Sequence, residues 1–154
     1  MTDNQPLTKN FSLYEMLLSQ QAARFSFDEQ YQPSEKEIEN LRLLCKHILQ
    51  PLRDELKISV NVSSGYRCQR LNAMIGGAMR SQHLTGQAAD IVCFKTGNEN
   101  LLKKIVQLEL PFDQVINEFN YRWVHVSYDL SRNRKQILEA YKNNLGQTKY
   151  REIV

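Results

Sequence analysis

The chain has three histidines, His47, His83 and His125, few enough to be weighed one at a time for acid–base or metal chemistry. His83 stands in "SQHLTGQAAD" (residues 81–90), seven residues before Asp90, with Gly86 between them so that the chain can turn back and both side chains can converge. Asp90 leads into the apolar run "IVCF" with small or apolar neighbours on either strand face, where an ionised carboxylate is costly unless a cation accompanies it. In "RWVHVSY" the alternation sets Val124 and Val126 on one face and Trp123, His125 and Ser127 on the other. If the valines enter the core, the opposite face offers an imidazole beside a large aromatic, as the floor of a cleft would; a histidine satisfied inside the core is the alternative. His47, in "LLCKHILQ", has no acidic residue placed as a metal-site partner and reads as structural or surface. Two histidines and a carboxylate form a known catalytic zinc set with the fourth position open for water. One zinc ion would also neutralise Asp90 and select the neutral form of His83 and His125.

Short elements must position these groups. Ser12 with Glu15, and Ser34 with Glu37, are capping-box pairs, and Phe11 can staple against Met16. The second box launches a helix whose apolar residues Ile38, Leu41, Cys45, Ile48 and Leu52 step by three and four, with the stripe continuing to Leu56. Pro51 is expected to kink this helix rather than end it. From Lys57 the period becomes two, through Ile58, Val60 and Val62, so a strand runs directly into "SGYR". A short helix over residues 68 to 74 is expected to end at Gly76-Gly77. "AADIVCF" reads as a second strand, residues 98 to 108 as an amphipathic helix, and "QVINEF" and "RWVHVSY" as two strands joined by a tight turn at "NY". Gly65, Gly76, Gly77 and Gly86 read as devices for sharp backbone turns. A final helix is predicted to begin near Ser131 and stop at Gly146, a C-terminal helical extension over residues 131–146. Helices around a cluster of short strands predict an α+β fold with a small, mostly antiparallel sheet.

The bulk properties exclude several classes. At 154 residues with 42% hydrophobic and 24% charged content, the expectation is one domain spanning residues 1–154 with a sizeable core. The net charge of +3 is too small to argue for nucleic acid, and the basic tail from Ser131 onward has few interleaved aromatics and no recognition motif. Cys45, Cys68 and Cys93 are odd in number and lack a C-x-x-C spacing, so reduced, buried thiols are expected rather than a disulfide framework. No apolar run approaches a membrane span, and the N-terminus lacks the charged and apolar regions of a signal peptide. The expected product is a soluble monomer, cytoplasmic as synthesised.

The stretch "SSGYRCQRLNAMIGGAMRSQHLTGQAADI", followed by "FDQVINEF" and "WVHVSY", resembles the zinc D-Ala-D-Ala carboxypeptidase family of bacterial cell-wall peptidases, which includes phage endolysins and vancomycin-resistance dipeptidases. With "NFSLYEML" and "ILQPLR" the resemblance covers about residues 10 to 128 and is strongest to the compact single-domain branch. Its specific core is the S-x-H-x-x-G-x-A-x-D pattern of Ser81, His83, Gly86, Ala88 and Asp90. The resemblance implies a fold shared with hedgehog signalling domains and one zinc ion held by His83, Asp90 and His125. It assigns Arg67 to the cleft arginine that stabilises an oxyanion or holds substrate oxygens, and Ser81 and Gln82 to substrate contacts.

One position departs from the pattern. Several members carry a general-base carboxylate three residues before the last histidine ligand, where this chain has Arg122. The compact branch looks similar to this chain in having a glutamate after "DQ-I", which makes Glu118 the expected base, positioned across from Trp123 or His125 if "NY" turns the chain. Asp113, just after Pro111, is the second candidate. The activity implied is hydrolysis of a peptide bond in peptidoglycan stem peptides, as a D-Ala-D-Ala carboxypeptidase or an endolysin-type endopeptidase, in a phage or prophage lytic setting or a cytoplasmic one. A zinc-stabilised module that binds peptidoglycan or a protein without turnover is the rival that Arg122 keeps open.

Overall fold

The structure, a computed structural model, describes residues 4–153; residues 1–3 and 154 of the expected 1–154 domain lie outside it. Six strands form one sheet in the order β1-β2-β4-β3-β5-β6: β1 (Asn61–Ser64), β2 (Ala88–Val92), β3 (Gln114–Glu118), β4 (Trp123–Ser127), β5 (Gln136–Lys142) and β6 (Thr148–Glu152). Every pairing is antiparallel except β3 with β5, so the α+β, mostly antiparallel expectation holds. The alternation works as read: Val124 and Val126 are fully buried in the main apolar core together with Val115, Ala89 and Ile91. That core packs under the helices α1 (Leu13–Leu17), α2 (Gln20–Arg24), α3 (Glu35–Leu44), α4 (Gln50–Leu56), α5 (Gln69–Met74) and α6 (Asn98–Gln107). The opposite face of the sheet carries the polar chemistry.

Ser34 and Glu37 form the complete capping box at α3, each side chain bonding the other's backbone N–H. At α1 only half of the expected box forms. Ser12 Oγ accepts from the Glu15 N–H, but Glu15 does not reach back; its Oε1 is buried without a partner, and burial raises its pKa. Pro51 leaves the helix unbroken to Leu56, and the missing N–H is accommodated by a π turn over Cys45–Leu49 immediately ahead of it. His47 stacks on Tyr128 with ring centroids 4.7 Å apart, in keeping with its structural reading. The three cysteines are free and buried. Strand β1 starts at Asn61, later than predicted, because Lys57 ends α4 in the left-handed conformation with φ 59°.

The predicted helix over residues 131–146 is not there. Residues 136–142 pair with β3 and then with residues 148–152, closing a hairpin through Asn143–Gly146. Leu, Glu, Ala and Lys in "QILEAYK" favour a helix locally, but Leu138 and Ala140 alternate onto the sheet face with Ile116, and pairing with β3 overrides the propensity. Gly146, with φ 75°, serves the hairpin turn rather than a helix end. The crossing loop from β4 to β5 is clamped at the foot of β3. Asp113 accepts from the Arg134 backbone N–H, Nε and Nη2 at 3.0, 2.8 and 2.9 Å. Among the described residues no helix is long and apolar enough to cross a membrane.

Candidate metal centre

Two close backbone approaches build the site. The chain leaves β1 through Gly65, where a Cβ would sit 2.4 Å from the Met16 carbonyl oxygen; only a glycine lets this segment press against α1. Buried Gln30 stitches it down, its Nε2 donating to the carbonyls of Leu17 and Tyr66 and its Oε1 accepting from the Cys68 N–H. His83 rides on a 3-10 turn, Gln82–Thr85, that Ser81 Oγ caps by accepting from the His83 N–H. Gly86 closes that turn at φ 75°, with room for no Cβ because the Glu37 carbonyl oxygen would lie 2.5 Å from it.

The three predicted ligands converge. His83 Nε2 and His125 Nδ1 each lie 3.2 Å from Asp90 Oδ1, and one ligand atom from each residue falls within 4.8 Å of the others. His125 comes from β4 and Asp90 from the paired position on β2. His83 Nδ1 is 2.7 Å from the Gly65 carbonyl oxygen, which can only accept, so Nδ1 carries a proton. In neutral His83 the Nε2 lone pair therefore faces a carboxylate oxygen. Two acceptors facing each other call for a cation, either a second proton on the ring or a metal. A tetrahedral shell with bonds of about 2.1 Å has edges of about 3.4 Å, close to the spacing seen. The donor set, two imidazoles and a carboxylate, suits zinc, and the Gly65 carbonyl supplies the outer hydrogen bond that fixes a ligand histidine's tautomer.

Asp90 is buried, 5% exposed. Burial alone would push its carboxyl up, but the charges and hydrogen bonds of His83 and His125 outweigh that and hold it well below the usual carboxylate range. Arg67 also faces it, donating from Nη2 to Asp90 Oδ2 at 2.9 Å. The same guanidinium donates from Nε to Ser64 Oγ at 2.9 Å and from Nη1 to Asn72 Oδ1 at 3.2 Å. Of its five N–H groups three are thus committed, and one on each Nη is left for the cleft. Ser64, Asn72 and Gln30 were not read from the sequence: polar residues in short helical turns and at a strand end carry no periodic signal, although Ser64 does lie inside the "SSGYR" stretch.

A cleft of about 1520 Å³ opens over this group, lined by Ser81, Gln82, Arg67, Trp123 and Glu118 among others. Glu118 sits on β3 directly opposite Trp123, one of the two positions expected. The turn between them is looser than a two-residue one: Phe119, Asn120 and Tyr121 all have positive φ, and Asn117 Oδ1 holds the Tyr121 N–H at 2.6 Å. Burial pushes the Glu118 carboxyl up to about 7, His125 and Arg67 pulling against it and Asp90 adding to it. Arg122 is exposed in that turn and borders a second hollow with Phe119 and Tyr141 rather than the cleft over the histidines. Asp113, the second candidate base, is held by Arg134 and by Gln82 Nε2 at 3.0 Å. Burial pushes its carboxyl up, but those hydrogen bonds prevail and lower it, as suits a clamp and not a proton acceptor. Gln82 is therefore tied to Asp113, its free amide edge reduced.

The fold thus sets a His-Asp-His group that could hold a metal ion at the base of a cleft. A family model described as Peptidase M15 matches residues 9–127, and the chain belongs to that family, the zinc D-Ala-D-Ala carboxypeptidase family. No curated protein matches the chain.

Proposed function

We propose that the protein hydrolyses a peptide bond in bacterial peptidoglycan stem peptides, as a D-Ala-D-Ala carboxypeptidase or an endolysin-type endopeptidase, with His83, Asp90 and His125 as ligands of one zinc ion. The observation that carries this reading is the convergence of buried His83 and Asp90 with half-buried His125 on the floor of a cleft that also presents Glu118. Zinc bound there supplies a Lewis acid and lowers the pKa of water. Glu118, with a carboxyl raised to about 7, is suited to accept a proton from the attacking water near neutrality and return it to the leaving amine. Arg67 holds Asp90 through Nη2 and directs its uncommitted N–H groups toward the oxyanion that develops on the substrate carbonyl. Ser81 and Gln82, on the cleft rim, contact the peptide.

The test is a digest of muropeptides of several stem types by zinc-loaded protein, with products read by mass spectrometry. A mass loss at one defined bond is expected, and Glu118→Ala should abolish it while zinc stays bound. No cleavage of any stem type at stoichiometric zinc would leave the non-catalytic binding module as the better reading.

A further inference from the structure

The sheet does not stop where the family match does. Residues 128–153 lie beyond the matched segment and add β5 and β6 next to β3. The added strands continue the face that carries Asp90 and His125 in register. One row runs Asp90, His125, Ile116, Leu138, Glu152; the neighbouring row runs Trp123, Glu118, Ala140, Tyr150. Past the imidazole the floor is therefore an apolar shelf of Ile116 and Leu138. The Gln114–Gln136 amide pair, bonded at 2.7 Å, edges it on one side and Glu118 with Tyr150 on the other. Ala140, between Glu118 and Tyr150 in that row, is buried in a cluster with Ile116 and Leu138. All of these side chains except Ala140 line the same cleft as the histidines. Tyr150 lines the cleft although 54% of the residue is exposed, and its phenol is pushed up by burial and by the nearby charges of Glu118 and Asp90.

From β4 to β6 is three strand spacings, about 14 Å, enough for about four extended residues at about 3.3 Å each. A peptidase that needed only a single residue past the scissile bond would leave most of this shelf empty. We propose that the C-terminal hairpin is the far wall of the substrate cleft, with Tyr150 a positioning residue, and that it selects peptides continuing across β5 and β6 over those that end at β3. The inference rests on the peptidase reading for its substrate class. The shelf takes the backbone and short side chains of the peptide, its rim amides and the phenol supply hydrogen bonds, and the clamp of Asp113 on Arg134 holds the wall at a fixed distance from the metal group.

Trp123 is the only tryptophan in the chain and lines this cleft, so its fluorescence reports binding without turnover. The zinc-loaded protein is titrated with the stem pentapeptide L-Ala-γ-D-Glu-L-Lys-D-Ala-D-Ala and with the dipeptide D-Ala-D-Ala. The pentapeptide is expected to bind more tightly, and Tyr150→Ala should narrow the ratio of the two affinities about tenfold, the size of one hydrogen bond with partial ring contact. Tyr150→Phe, which keeps the ring, should recover part of the ratio. Wherever cleavage occurs, the alanine variant should raise KM more than it lowers kcat. A wild-type protein with no preference for the pentapeptide, or a Tyr150→Ala variant that weakens both probes equally, would overturn the proposal. Length-dependent binding through Tyr150 without cleavage would refute the peptidase reading and leave the wall standing. Cleavage with KM unmoved by Tyr150→Ala would do the reverse.

Discussion

Replacing Glu118 with glutamine should make the metal-free protein more stable at neutral pH while removing its activity. The carboxyl of Glu118 is raised from an ordinary 4.5 to about 7 by burial, so the folded state holds its proton more tightly than the unfolded chain does. Stability then falls as pH rises from about 4.5 to about 7, and is flat above that, because the unfolded state ionises first. At about 1.4 kcal/mol per pH unit, the gap between 4.5 and about 7 sets a ceiling of about 3 kcal/mol on this destabilisation. Glutamine has the same shape and no charge to desolvate. Urea unfolding in the presence of a chelator, at about pH 4 and about pH 8, gives the comparison. Wild type and Glu118→Gln should be nearly equal at the lower pH, and the variant should be the more stable at the higher one by up to about 3 kcal/mol. With zinc restored, the variant should bind the ion and fail to turn over. A stability difference that is the same at both pH values would mean that burial does not hold the carboxyl neutral.

Two further perturbations probe the scaffold. Gly65→Ala places a Cβ 2.4 Å from the Met16 carbonyl and disturbs the carbonyl that holds His83 Nδ1; a loss of about 1–3 kcal/mol in stability and of about tenfold or more in zinc affinity is expected by thermal melting and metal titration, and unchanged zinc affinity would contradict the outer-bond role. Asp113→Asn weakens the clamp on Arg134 and should cost about 1–3 kcal/mol of stability at full zinc content, measured by denaturant titration and metal analysis; lost turnover with unchanged stability would instead make Asp113 the base.

The convergence of His83, Asp90 and His125 was legible because its chemistry is local and costly. An aspartate entering an apolar strand demands a cation, and Gly86 and the alternation around His125 supplied the means for two imidazoles to meet it. Helix α3 was legible for the same kind of reason: capping pairs and three-four spacing act over a few residues. Half of the Ser12 box failed because tertiary burial, not sequence spacing, decides whether Glu15 can reach its partner.

The candidate ligand residues, the strand faces that carry them and the class of fold were all set by the sequence, since alternation, caps and turn glycines are properties of neighbours along the chain. Only the tertiary structure decided that Asp113 is a clamp and that Arg67 grips the second oxygen of Asp90, because both depend on partners more than twenty residues away. It also decided that "QILEAYK" is a strand. That segment is helical by propensity and extended by context, because pairing with β3 and burial of Leu138 and Ala140 against Ile116 outweigh what its own residues prefer.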